Sequence, residues 1–103
     1  MFGLTALFTL HDESAALGFD ALTARTLPLI KSAEPGTLVY AVHEVAGDPL
    51  ARVFYELYSD RAAFEAHEEQ PHVRHFLAER EQYLAGVRVE FLSFVDGKGT
   101  PSS

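Results

Sequence analysis

Two runs that alternate as strands do, Thr37–Val45 and residues 50–59, are separated by only Ala46-Gly47-Asp48-Pro49. That four-residue spacer is turn chemistry and leaves no room for a crossover helix, so the runs must pair as an antiparallel hairpin in the middle of the chain. Everything else has to be arranged around that hairpin. On its N-terminal side, residues 3–10 alternate, with Leu4, Ala6, Phe8 and Leu10 on one face and Thr5, Leu7 and Thr9 on the other. Asp12, Glu13 and Ser14 then supply helix-start chemistry, and Phe19, Leu22, Thr26, Ile30 and Ala33 recur at helical spacing to about residue 33. Pro28 is expected to bend or interrupt this helix, and Glu34-Pro35-Gly36 to stop it.

On the C-terminal side, Ser59 or Asp60 caps a second helix carrying Ala63, Phe64 and His67. Pro71 disfavours helical geometry at Gln70 and suits a first helical position, so the helix should break and restart there. Val73, Phe76, Leu77 and Leu84 continue the apolar stripe, and residues 87–95 alternate as a final strand. The order is β-α-β-β-α-β, an α+β fold of ferredoxin-like arrangement. A chain of 103 residues is long enough for one core and not for two. A single domain over residues 1–96 with a frayed tail over 97–103 is expected.

Two helices cover one face of a four-stranded sheet, yet the strands are apolar on both. Val53, Tyr55 and Leu57 share one face of the third strand, while Phe54 and Tyr58 flank Glu56 on the other. In the last strand Val87, Val89, Phe91 and Val95 oppose Leu92 and Phe94. A sheet with two apolar faces needs a second cover, and a second copy of the chain packed sheet to sheet supplies it. A homodimer through the sheet faces is therefore expected.

The formal charge of −7 leaves no basic patch to release counterions from phosphates, which argues against nucleic acid as a partner. The eight Lys and Arg are scattered, so an anionic membrane surface is no better suited. Cysteine is absent, which removes disulfides, thiolate nucleophiles and zinc-thiolate sites and is compatible with a reducing cytoplasm. The apolar opening MFGLTALFTL is short, lacks a basic leader and runs directly into His11-Asp12-Glu13, so it reads as a strand rather than a signal or a membrane span. No Gly-rich phosphate loop, no G-x-S-x-G elbow and no flavin or nicotinamide fingerprint is present, and no cofactor is expected.

The chemistry-bearing residues are Glu56, in the inner pattern of a strand, and His67, about 60° around the following helix from Phe64. The short connection between strand and helix lets both side chains converge between sheet and helix. One reading is a core histidine hydrogen-bonded to a carboxylate. The other is a carboxylate that fixes the imidazole tautomer, with the imidazole ready to accept a proton near neutral pH. Metal ligation by His67, His72 and His75 matches no dependable spacing, because Pro71 separates the first from the others, and no metal is expected. Tyr40 and Tyr58 are either core aromatics or hydroxyls that line a pocket.

The segments SAEPGTLVYAVHEV and RVFYELYSDRAAFEAHEEQPHVRHFLAE resemble the antibiotic biosynthesis monooxygenase domain family, which includes small quinol monooxygenases. The shared pattern falls on Glu34-Pro35-Gly36, Tyr40, Tyr55-Glu56-Leu57-Tyr58, Asp60, Phe64, His67 and His72, and the resemblance spans about residues 3–95. It implies a dimeric α/β barrel with one pocket per subunit between sheet and helices. It also implies cofactor-free oxidation of a small aromatic, a quinol, anthrone or similar phenol, by dioxygen. On that reading His67 is the base, Glu56 orients it, Tyr40 and Tyr58 place substrate oxygens, and Phe64, His72 and Phe76 complete the binding set. The same superfamily includes haem-degrading enzymes, which rely on an asparagine in the first strand, a tryptophan at the position of His67 and an iron-ligating histidine ten residues later. This sequence has no Asn and no Trp, and residue 77 is leucine, so that branch does not fit. Two alternatives remain: a non-enzymatic small-molecule-binding dimer, and an isomerase of a phosphorylated sugar-like signal, which would need Arg52, Arg61 and Arg74 gathered together.

Overall fold

A computed structural model describes residues 1–101. Strand β1 (Phe2–Leu10) leads into helix α1 (Glu13–Ala33), then the hairpin β2 (Thr37–Val45) and β3 (Asp48–Tyr58), helices α2 (Arg61–Glu69) and α3 (Pro71–Glu79), one 3₁₀ turn (Arg80–Gln82) and β4 (Leu84–Ser93). The sheet order is β2-β3-β1-β4 with every neighbouring pair antiparallel. This is the ferredoxin-like α+β arrangement, its second helix divided in two. Gly47 supplies the positive φ of 83° that the hairpin turn requires. The helix starts are chemically explicit: the side chain of Asp12 accepts from the Ala15 amide at 2.8 Å, and that of Asp60 from the Ala63 amide at 2.8 Å. Gln70 takes an extended ψ of 137° ahead of Pro71, which ends α2 and lets α3 begin with proline in its first turn.

The expected interruption at Pro28 does not occur; α1 runs unbroken to Ala33. Pro28 removes one helical hydrogen bond, but both Pro28 and Ala24, whose carbonyl loses its partner, are exposed, so the freed oxygen is on the solvent side of the helix and not in the core. The neighbouring Leu22, Thr26 and Ile30 are buried and hold the helix to the sheet. The last strand begins three residues earlier than the alternation of 87–95 indicated and ends at Ser93. Residues 94–101 carry no helix or strand, and the final part of the tail expected over 97–103 lies outside the described residues.

The core is aromatic. Phe8, Phe19, Phe54 and Phe76 interlock, with ring centroids 4.7 Å apart for Phe8–Phe54, 5.1 Å for Phe8–Phe19 and 5.8 Å for Phe19–Phe76. Phe54 sits at its centre with no exposed surface. Register places Leu4 beside Glu56, Ala6 beside Phe54 and Phe8 beside Arg52, so the helix-facing side of β3 carries Arg52, Phe54 and Glu56 in sequence. Tyr40 pairs with Glu56 across the β2 side.

Cover over this helix-facing side is incomplete. Val87, Val89 and Phe91 of β4 lie on it, by register with Phe8, Ala6 and Leu4, yet are 45%, 43% and 61% exposed. The opposite face carries Leu7 at 40% and Leu92 at 37% exposure, with Thr5, Val53 and Tyr55 partly open. Among the described residues, no helix is long and apolar enough to cross a membrane.

Candidate active site

A cavity of about 150 Å³ opens between the sheet and helices α2 and α3. Leu4, Ala6 and Phe8 of β1 form its floor with Tyr40 and Glu56, and α2 and α3 roof it with Phe64, His67, Val73, Phe76 and Leu77. Glu68, Arg80 and the exposed Val89 and Phe91 form the remaining boundary. Glu56 and His67 thus share one mostly apolar chamber, as their sequence positions suggested.

The partner that holds His67 is Glu34. Its Oε1 lies 2.5 Å from His67 Nδ1, and its Oε2 lies 2.5 Å from His72 Nε2. The Thr37 hydroxyl donates to the same Oε1 at 2.7 Å, so a buried carboxylate accepts from two imidazoles and a hydroxyl. The loop that carries it is fixed at both ends. The Thr37 amide donates back to the Glu34 carbonyl at 3.1 Å, and the Ser59 amide donates to the Gly36 carbonyl at 3.0 Å. A side chain at Gly36 would place its Cβ 2.6 Å from that of Ala63, so only glycine lets the loop lie against α2 with Glu34 beneath His67. In the neutral tautomer whose Nδ1–H donates to Glu34, the lone pair is on His67 Nε2, which faces Glu56 Oε1 at 3.9 Å, too far for a hydrogen bond.

Glu56 therefore does not orient His67. Tyr58 takes its place as Glu56's direct partner, its hydroxyl donating to Glu56 Oε1 at 2.5 Å. The strand pleat explains this: residues two apart point to the same side, so the Tyr58 hydroxyl reaches back to residue 56. Burial pushes the Glu56 carboxyl from 4.5 up to about 7, against the opposing pull of the Tyr58 hydrogen bond. Burial, followed by the charge of Glu56, likewise raises the Tyr40 phenol and, with the bond to Glu56 in addition, the Tyr58 phenol. Both tyrosines thus stay protonated across ordinary pH as hydrogen-bond donors.

The raised Glu56 carboxyl has a measurable consequence. Between about 4.5 and 7 the folded protein retains a proton at Glu56 that the unfolded chain has released. The contribution of Glu56 to stability is therefore fully present below 4.5 and falls as pH rises through about 7. Its slope is at most about 1.4 kcal/mol per pH unit. Urea unfolding of wild type and Glu56→Gln should show the difference in their stabilities moving against the wild type across that window. A difference independent of pH would place the carboxyl at its ordinary value.

Of the residues expected to form the site, the cavity brings together Glu56, His67, Tyr40, Phe64 and Phe76. Tyr58 does not reach it; with no exposed surface, it acts on the cavity only through Glu56. His72 also lies off the cavity, because α3 begins at Pro71 and its first turn aims His72 back at Glu34. His75 is exposed. The arginines considered for a cationic grip do not assemble: Arg52 is bound to Asp20 at 2.9 Å, Arg61 faces Glu65 at 3.5 Å, and Arg74 is exposed.

Two site residues were absent from the sequence expectation. Glu34 stood in plain view within the Glu-Pro-Gly stop, and its signal was electrostatic. A carboxylate at a helix C-terminus opposes the macrodipole, so it needs another reason to be there. Arg80 gave no comparable signal, because the 3₁₀ turn that aims it inward has no periodic signature.

The model of the family described as "Antibiotic biosynthesis monooxygenase" matches residues 1–79. A search of curated proteins gives no match. Among solved structures, a Caulobacter crescentus protein superimposes with a TM-score of 0.85 at 23% identity, over 92% of this chain and 90% of that one. A structure described as an antibiotic biosynthesis monooxygenase gives 0.83 at 22% identity over 93% and 100%. Rv0793 of Mycobacterium tuberculosis gives 0.84 at 26% identity over 93% and 96%.

Proposed function

The chain belongs to the antibiotic biosynthesis monooxygenase family, and from that premise we propose that it is a cofactor-independent monooxygenase of a hydroxylated, electron-rich aromatic of quinol or anthrone type. The observation that carries the reading is the state of His67: Nδ1 held by a buried carboxylate, Nε2 unbonded beside an apolar cavity. Triplet dioxygen reacts slowly with closed-shell organic molecules, so without flavin or metal the substrate must itself be the reductant. Deprotonation achieves this, because an aromatic oxyanion gives up an electron far more readily than the parent phenol.

His67 Nε2 takes the proton, and Glu34 stabilises the imidazolium that results. The substrate anion passes an electron to dioxygen, the two radicals combine at ring carbon, and the peroxide collapses. One oxygen atom enters the product as carbonyl, the other leaves as water, and the substrate supplies all four electrons. Glu56, titrating near 7 and donating or accepting beside Nε2, serves the proton transfers to the peroxide. The apolar walls keep bulk water from the carbanion and peroxide.

A cavity of about 150 Å³ holds one aromatic ring. A fused-ring substrate would therefore leave its second ring over the open side, against Val89 and Phe91. Oxygen-electrode assays on metal-stripped, flavin-free protein with a monocyclic quinol and with anthrone test the reading. Uptake above the uncatalysed rate with either supports it; binding without uptake would instead mark a small-molecule-binding protein.

The second copy belongs to the same proposal. Leu7, Leu92, Val53 and Tyr55 on the face away from the helices give a homodimer its contact. Light scattering should then give twice the 11.4 kDa chain mass, and Leu7→Lys should shift the protein toward monomer. A wild-type monomer at micromolar concentration would remove the dimer.

A further inference from the structure

Among the described residues two arginines turn inward, and they differ in one respect. Every nitrogen of Arg52 has a partner: two bind Asp20, each at 2.9 Å, and the third donates to the carbonyls of Pro49 and Ala51. Arg80 is not. Its Nε is buried without a hydrogen-bond partner, and its guanidinium enters none of the ion pairs formed among the described residues. What supports it is aromatic, with Cζ 5.4 Å from the Phe8 ring centroid and 6.0 Å from that of Phe76. Cation–π packing of this kind steadies a guanidinium but leaves its in-plane N–H donors unspent. Arg80 is also the one Lys or Arg among the residues lining the cavity. Its positive charge reaches Tyr40 and Glu56, where it opposes the upward push of burial.

We propose that Arg80 binds an oxyanion on the aromatic ring that occupies the cavity, a phenolate or a ring carboxylate, and so makes the protein selective for the ionised form of its ligand. This rests on the functional reading above and deepens it. Removing a proton from a phenol inside an apolar chamber strands a negative charge, and an unspent guanidinium on the chamber wall is what offsets it. The two carboxyl groups that also line the cavity, Glu56 on β3 and Glu68 on α2, set a limit: one cation among them suits a single negative charge and not a phosphate dianion.

The test is anaerobic binding of 4-nitrophenol, which fits a single-ring cavity and reports its ionisation by its visible absorption. Wild type should bind the phenolate over the phenol and so lower the apparent pKa of the bound dye. Arg80→Gln should weaken phenolate binding by about tenfold to a hundredfold. The groups that face the dye and titrate or carry charge are Tyr40 on β2, Glu56 on β3, His67 and Glu68 on α2 and Arg80 itself. The comparison is therefore made between variants at each pH. Nitrobenzene, which has no proton to lose, should bind wild type and Arg80→Gln alike, and Arg80→Lys should recover part of the phenolate affinity. Benzoate as competitor separates the two oxyanions, since Arg80-dependence for benzoate alone assigns the arginine to a carboxylate substituent. Equal phenolate and benzoate affinity in wild type and Arg80→Gln overturns the proposal, and so does a parallel loss for nitrobenzene, which would make Arg80 only a wall. None of these readings needs turnover, so an oxyanion site without oxygen uptake leaves Arg80 in place and removes the monooxygenase reading alone.

Discussion

His67→Gln is expected to lower oxygen-dependent oxidation of the substrate by about 10²–10⁴-fold. Glutamine has no lone pair on nitrogen with which to accept a proton at the Nε2 position, so the base is lost. Its amide still offers an N–H to Glu34, which matters because that carboxylate is buried and accepts from His67 at 2.5 Å. Alanine would be a poorer test, since withdrawing a donor from a buried carboxylate costs about 1–3 kcal/mol and confuses folding with function. Stopped-flow oxidation under air, set beside circular dichroism and a thermal melt, separates the two. Wild-type turnover in a folded His67→Gln protein would remove His67 from the chemistry. Loss of the fold, with activity never assayable, would leave it as a core histidine.

Phe54→Ala should destabilise the protein by about 3–5 kcal/mol, read from the shift in urea midpoint at unchanged m-value. Phe54 has no exposed surface and packs against the rings of Phe8, Phe19, Tyr40 and Phe76, with centroids 4.7, 5.7, 5.7 and 6.1 Å away. Those neighbours belong to two strands and two helices, so no single movement closes the void. For a domain of this size the loss is a large part of a typical total of about 5–15 kcal/mol. Tyr40 and Phe76 also line the cavity, and losing their shared neighbour should loosen the site as well as the core. A loss under about 1 kcal/mol would mean the core relaxes around the hole, contrary to a layer locked by interdigitated rings.

The architecture was legible because its signals are local. The hairpin spacer, the caps at Asp12 and Asp60 and the proline at 71 each act within four residues, and each is found in the structure. The effect of Pro28 was not legible, because the cost of an interior proline depends on which side of the helix it faces, and here that side is solvent. The cavity was legible in part: Glu56 and His67 share it because strand and helix periodicity both point inward. Their partners were not legible. Glu34 is 33 residues from His67 and 38 from His72, so their union depends on how the Glu-Pro-Gly loop packs on α2. Tyr58 was assigned to the substrate because the pattern showed its direction but not that Glu56 would intercept its hydroxyl. Pairing of polar groups across the fold is decided by packing, and periodicity cannot report it.

The most direct measurement of the central claim, that this chamber turns a bound aromatic into the reductant of dioxygen, is the fate of the oxygen atoms. Anthrone or a monocyclic quinol is oxidised under ¹⁸O₂ by metal-stripped, flavin-free protein, and the product is weighed by mass spectrometry. The account predicts one labelled oxygen per product molecule, the second appearing in water, with no accumulation of hydrogen peroxide. Unlabelled product accompanied by an equivalent of peroxide would contradict it, because electrons would then have left the ring without oxygen ever bonding to it.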